Sequence, residues 1–210
     1  MWRRLVIIIP ALVFAFGILF TSVFRTAAVK YEFAAGKVTP ELSVPGNNDV
    51  QINYYLAYPG KILPDHPLWM LKAIRDRIWL LVTTNSSRRA ELKLLFADKR
   101  LGSAKILFEK EASEEGFSTL TKAEKYLEEA TVLEKENRAK GENTTEFLTI
   151  LTKASLKHYE IMQEIIKIAP EDAKPKIIGI EWYSKKVYED SRNALLEKDI
   201  TSTENPFDWK

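Results

Sequence analysis

The apolar positions of the chain follow three different patterns. From Leu5 to Phe24 (LVIIIPALVFAFGILFTSVF) they form a run without one charged residue. From Thr26 to about Tyr58 they thin out, and Gly36, Pro40, Pro45 and Gly46-Asn47-Asn48 break any regular period. Beyond Pro67 they return every three to four residues as far as Lys198, the spacing of helices that bury one face.

The first run measures about 30 Å as a helix at about 1.5 Å per residue, the thickness of a bilayer's hydrocarbon core. Lipid offers no partner to free backbone groups, so a helix is required there, and Pro10 and Gly17 are tolerated in one that spans. Arg3 and Arg4, with the α-amino group, favour a cytoplasmic N-terminus; Arg25 and Lys30 weaken that asymmetry without reversing it. The pattern predicts residues 1–4 in the cytoplasm, a transmembrane signal-anchor over residues 5–24, and an extracytoplasmic remainder. The competing reading is a cleaved signal peptide and a secreted chain, although such an apolar region usually runs about 7–15 residues. Thr26-Ala27-Ala28 and Ala34-Ala35 approximate its cleavage site only weakly.

Residues 25–58 read as an extracytoplasmic linker. Within it Val50, Ile52, Tyr54 and Leu56 alternate with mostly polar partners, which predicts a short extended segment lying against the domain, because no sheet follows for it to join. Residues 59–200 read as a helical domain and residues 201–210 as a polar tail ending in Phe207-Asp208-Trp209.

A first helix is predicted from about Pro67 to Val82, capped by Asp65, with Leu71, Ile74, Ile78 and Leu81 as its buried side. A second, about Ser87 to Ala112, has Ala90, Leu94, Ala97, Leu101, Ala104 and Phe108 at 4-3-4-3-4 spacing, with Gly116 as the break after it. A third, about Thr119 to Ala139, carries Leu120, Ala123, Leu127 and Ala130, and Gly141 follows as a C-terminal cap. Asn143-Thr144-Thr145-Glu146 reads as a variant capping box opening a fourth helix, whose stripe is Phe147, Leu151, Ala154, His158, Ile161 and Ile165. A last helix, about Pro175 to Lys198, repeats the pattern with Ile177, Ile180, Val187 and Ala194, interrupted by Ser184 and Ser191. Short loops between such stripes predict an all-α fold: an antiparallel bundle of four to five helices behind one N-terminal transmembrane helix. Alanine at alternate seam positions predicts that the second and third helices pair closely.

Composition narrows the chemistry. Lys and Arg number 31 and Asp and Glu 29, so no global basic field exists to hold nucleic acid. Removing residues 1–25 leaves 28 basic and 29 acidic residues, net −1, which speaks against binding of both anionic lipid and DNA by the exported domain. The absence of cysteine rules out disulfides, thiolate nucleophiles and cysteine-ligated metals. His66 and His158 are the two histidines; the first reads as a surface residue and the second as a hydrogen-bonded core histidine. The Glu-rich stretch from Glu109 to Glu115 lacks the spacing of a calcium loop. No nucleotide-binding glycine loop or recognisable hydrolase motif occurs, so no catalytic, cofactor or metal residue is assigned.

Leu63-Pro64-Asp65-His66-Pro67-Leu68-Trp69-Met70-Leu71-Lys72, with Arg89-Ala90-Glu91-Leu92 and Ala97-Asp98-Lys99-Arg100-Leu101 after it, resembles a bacterial family of exported helical domains of unknown function. That family opens on Leu-Pro-x-Ser-Pro-Leu-Tyr-x-Leu-Lys, and the likeness covers roughly residues 58–133. Here His66 replaces the usual serine and Trp69 the usual tyrosine, and Gly102-Ser103 stands where an acidic-alanine run is common. The resemblance implies a helical fold and export, and no activity.

Two readings fit the opening motif. Pro64, Asp65, Pro67, Leu68 and Trp69 form either a plug fastening the linker to the bundle, or one side of a recognition groove between Trp69 and Trp79 with Lys72 or Arg75 beside it. Trp182 and Tyr183 likewise either widen the buried face of the last helix or form a patch for a partner, and the Phe207–Trp209 tail either docks on the bundle or engages another protein. The function class that fits best is a non-catalytic, membrane-tethered module binding an envelope protein, a wall component or a small ligand. The alternatives are an envelope enzyme whose carboxylates converge from separate helices, and a sensor whose output a membrane partner supplies.

Overall fold

The computed structural model describes residues 51–207 together with Gly17 and Trp209. The predicted anchor over residues 5–24 lies outside the described residues apart from Gly17, and no described helix is long and apolar enough to cross a membrane.

Six helices and no strand occur among the described residues: α1 (Trp69–Val82), α2 (Ser86–Glu109), α3 (Ser113–Ala139), α4 (Thr145–Ile168), α5 (Lys174–Ile178) and α6 (Trp182–Leu196). The chain is an all-α helical bundle. α2 lies along α3, α6 lies along α4, and the two pairs face each other through α2 against α4 and α3 against α6. Its centre is the predicted one. Leu94 and Ala97 of α2 meet Leu127 and Ala130 of α3, Leu151 and Ala154 of α4, and Val187 of α6. Leu101, Ala104 and Phe108 continue the core towards Leu120, Ala123, Ile161 and Ile165. The alanines are fully buried and leave room for the backbones of α2 and α3 to approach.

The helix ends show where local chemistry departs from the sequence reading. α2 starts on a side-chain cap, with Asn85 accepting the Arg88 N–H at 2.9 Å. The break after α2 is not Gly116. It is Glu111, held at φ 62, where the Ala112 N–H reaches the Leu107 carbonyl at 2.9 Å and closes a Schellman turn. Gly116 instead lies within α3, in a place where the Phe108 ring would stand 3.0 Å from an added Cβ; the glycine serves close approach, not termination. Gly141, at φ +86, does close α3 with the same turn. The capping box before α4 does not form. Thr144 donates its hydroxyl to Glu134 at 2.6 Å, and Asn143 accepts from the Thr145 N–H at 3.2 Å.

The last predicted helix is two helices, α5 and α6, parted around Gly179. Ser184 and Ser191 do not interrupt the α6 face; they are fully buried, their small side chains allowing α6 to approach its neighbours. α1 begins at Trp69, and Asp65 does not cap it; His66 Nδ1 accepts the Leu68 N–H at 3.1 Å at its start. Asp65 pairs with Lys110 at 3.0 Å instead.

α1 also carries the largest correction. Its predicted seam points outwards: Leu71 is 64%, Ile74 49% and Leu81 77% exposed. The buried side consists of Asp76 and Trp79. Trp79 meets the Phe96 ring edge-on at 5.9 Å, and Phe96 in turn meets Tyr126 of α3 at 6.0 Å.

The alternating segment before α1 lies against the bundle as an irregular strap, as its pattern predicts. Ile52 packs with Leu156, Tyr188, Phe207 and Trp209, and Pro59 rests where the missing Cβ of Gly102 would be, at 3.3 Å. The C-terminal aromatics dock rather than project: Phe207 and Trp209 stack on each other and cover Tyr159. Both ends of the described domain therefore meet on one side of the bundle.

Candidate functional site

Each long bundle helix except α6 places one titratable side chain at the centre. Asp98 of α2 follows the seam residue Ala97, Glu124 of α3 follows Ala123, and His158 lies on the α4 stripe. The imidazole bridges the two acids: Nδ1 is 2.7 Å from Glu124 Oε1 and Nε2 is 3.1 Å from Asp98 Oδ1. The strap adds a fourth member, since the Tyr54 hydroxyl donates to Asp98 Oδ2 at 2.8 Å, and the Ala57 N–H also reaches the Asp98 carboxylate. Asp98, Glu124 and His158 are all at most 1% exposed.

Burial alone would drive the imidazole towards its neutral form. The Glu124 charge and the hydrogen bonds to both carboxylates outweigh it and raise His158 to about 9. The ring is therefore an imidazolium at neutral pH, donating from both nitrogens. Burial raises Asp98, against the hydrogen bonds from His158 and Tyr54. Burial and the nearby Asp98 carboxylate push the Tyr54 phenol well above its ordinary range, so it stays a donor. Close by, the Arg100 guanidinium is buried over the Tyr126 ring at 4.4 Å.

This arrangement holds charge among three helices and the strap. Both imidazole nitrogens are committed, so neither is open to accept a proton from a substrate or to bind a metal. No group of His, Asp and Glu among the described residues is arranged to hold a metal ion. The role that fits is alignment: three helices and the strap must be in register for the charges to be satisfied together. The sequence reading places His158 in the core with hydrogen bonds, which it has, but leaves its partners unnamed. No local signal singles those partners out: Asp98 and Glu124 each follow a seam alanine, but so do Glu91 and Lys105, which are only half-buried.

The residues singled out as candidate partner contacts fall in two separate places. Pro64, Asp65, Pro67 and Leu68 make the turn leading into α1, with Leu68 49% exposed. Trp69 is half-buried, and Lys72 stands over its ring at 4.8 Å. Lys72 also donates to the carbonyls of Pro59 and Ile62, at 2.8 and 2.9 Å, which fastens α1 to the strap. Trp79 faces inward, away from the exposed surface of α1. On α6, Trp182 is exposed and stacks on the half-buried Tyr183, with ring centroids 4.0 Å apart and planes at 28°. Ile178 is exposed beside them, and Lys186 lies 5.4 Å over the Trp182 ring while pairing with Glu128 of α3.

Residues 61–172 match a protein family described as a domain of unknown function, DUF5667. The chain belongs to this family. The DUF5667 match runs from the opening motif through all of α1 to α4, further than residues 58–133, where the motifs carry the resemblance. It contains Asp98, Glu124 and His158, whereas Tyr54 of the strap and Val187 of α6, which complete the network and the core, lie outside it. No curated protein and no solved structure matches the chain.

Proposed function

We propose that the chain is a membrane-anchored binding module of the bacterial cell envelope, with residues 1–4 cytoplasmic, residues 5–24 spanning the bilayer, residues 25–58 leading out of it and the helical domain outside. The charge-free run and the arginines before it support the anchor and its direction. One observation carries the binding role. The ionisable groups at the bundle's centre are sealed and bonded to one another, with Glu124 Oε2 left without a hydrogen-bond partner, while Trp182 stands exposed on the half-buried Tyr183, with Ile178 and Lys186 exposed nearby in the chain. Stacked aromatics next to a cation lose little entropy on contact and suit an envelope protein or a wall polymer.

Two measurements on the full chain test this. Alkaline washing of membranes should leave the protein in the pellet, and protease added from outside should digest the domain; release by alkali, or protection of the domain, contradicts the anchor and its direction. A photo-crosslinking residue in place of Trp182 should capture one envelope component, and Ile178→Asp should abolish capture. Equal capture from Glu189, an exposed α6 position, contradicts a defined surface there.

A further inference from the structure

The outward face of α1 has no cover among the described residues. At about 100° per residue, Met70, Leu71, Ile74, Ile78, Leu81 and Val82 share roughly one third of the helix circumference. Five of the six are exposed and Ile78 is half-buried. Arg77 borders the stripe on one side and Arg75 on the other, while the one acid of α1, Asp76, points inward and pairs with Arg75 at 2.7 Å. An apolar band edged by arginine with no carboxylate on its outer side is the pattern of a helix lying flat in a bilayer interface; Arg77 is exposed and able to reach headgroup phosphates, while Arg75 is held by Asp76.

The charge of the domain is segregated in the same sense. Residues 61–89 hold six basic and two acidic residues, net +4, whereas residues 90–210 hold twenty basic and twenty-four acidic, net −4. The near-zero total conceals an uneven distribution along the chain, with the positive excess in the segment that contains α1, the sign that favours an anionic surface there. The described strap begins at Gln51, so about 26 residues separate the domain from the end of the apolar run. A coil of that length has an r.m.s. span of about 30 Å, a distance at which even a weak interfacial helix meets the bilayer often.

We infer that α1 docks with its apolar stripe on the anionic bilayer in which the chain is anchored, leaving the Trp182 surface free for a partner. This rests on the anchor proposed above. The lack of cysteine allows single spin labels at Leu71→Cys and Leu81→Cys, with Glu189→Cys as a reference, in the full chain reconstituted into vesicles of phosphatidylcholine with phosphatidylglycerol. The expected result is that the α1 labels relax with oxygen and not with water-soluble nickel, while the reference label does the reverse. Arg77→Glu with Arg89→Glu should shift the docked population towards water by about fivefold per cation lost, as should phosphatidylcholine alone. α1 labels that stay nickel-accessible in a chain resisting alkaline extraction overturn the docking and leave the anchor standing. Extraction by alkali overturns both. Spin–spin broadening that vanishes on dilution with unlabelled chain assigns the stripe to a second copy and likewise overturns docking on lipid.

Discussion

α4 and α1 carry nearly the same message in their sequences and receive opposite treatment from the fold. Both repeat large apolar residues every three to four positions. In α4 the stripe from Leu151 to Ile165 is buried and includes a charged histidine with two carboxylate partners. In α1 the stripe from Leu71 to Leu81 faces out, and an aspartate and a tryptophan face in. The difference teaches that periodicity establishes an amphipathic helix without naming what covers it. α1 is placed by its other side: the Trp79 indole on Phe96, and Lys72 tied to two strap carbonyls. A buried tryptophan removes more apolar area than an aliphatic residue, and α1 rotates to bury it.

The contrast can be broken most severely at its buried end. His158→Gln leaves Asp98 and Glu124 facing each other in a dry core and should lower stability by about 3–5 kcal/mol in urea unfolding. A loss below about 1 kcal/mol would mean that water reaches the network.

The same group makes stability depend on pH. His158 in the folded chain is raised to about 9, above the ordinary histidine value of 6.5. A raised value means that its contribution is complete below pH 6.5 and is lost as pH climbs through 9. Stability should therefore fall by something of the order of 3 kcal/mol across that window. The fall should be absent in His158→Gln, and unfolding midpoints at a series of pH values measure both.

Removing the strap's contribution is a smaller change. Tyr54→Phe takes one donor from a buried carboxylate and should cost about 1.5–3 kcal/mol. Its effect should be seen first as proteolysis around residues 51–60, ahead of the helices. The open face gives the smallest effect. Leu71→Ser and Leu81→Ser should each change the stability of the lipid-free protein by less than about 0.5 kcal/mol. A large loss at either position would mean that the stripe is covered after all.

Much of the bundle is legible because α2 from Ala90 to Ala104 and α3 from Leu120 to Ala130 obey one rule: alanine and leucine alternate at positions that must face a neighbour. Endings were less legible, since Glu111 adopts the left-handed turn that glycine usually takes, while Gly116 is present for the Phe108 ring. The face of α1 is not legible in the sequence, because four aliphatics at helical spacing outnumber the one indole that is buried. Of the central network, His158 was visible as a polar break in an apolar stripe. Asp98 and Glu124 were not, because their i, i+4 surroundings also contain ordinary solvated charges, and only the crossing of α2, α3 and α4 distinguishes them. Tyr54 was visible as part of an alternating segment, but its bond to Asp98 joins residues 44 positions apart, which no local pattern encodes.

Hydrogen exchange of the full chain in vesicles tests most directly the claim that α4 is sealed while α1 works at a surface. α4 amides should exchange slowly and equally in phosphatidylcholine and in phosphatidylcholine with phosphatidylglycerol, whereas α1 amides should be fast in the first and protected in the second. Equal exchange of α1 in both lipids, or fast exchange around His158 in either, would contradict the account.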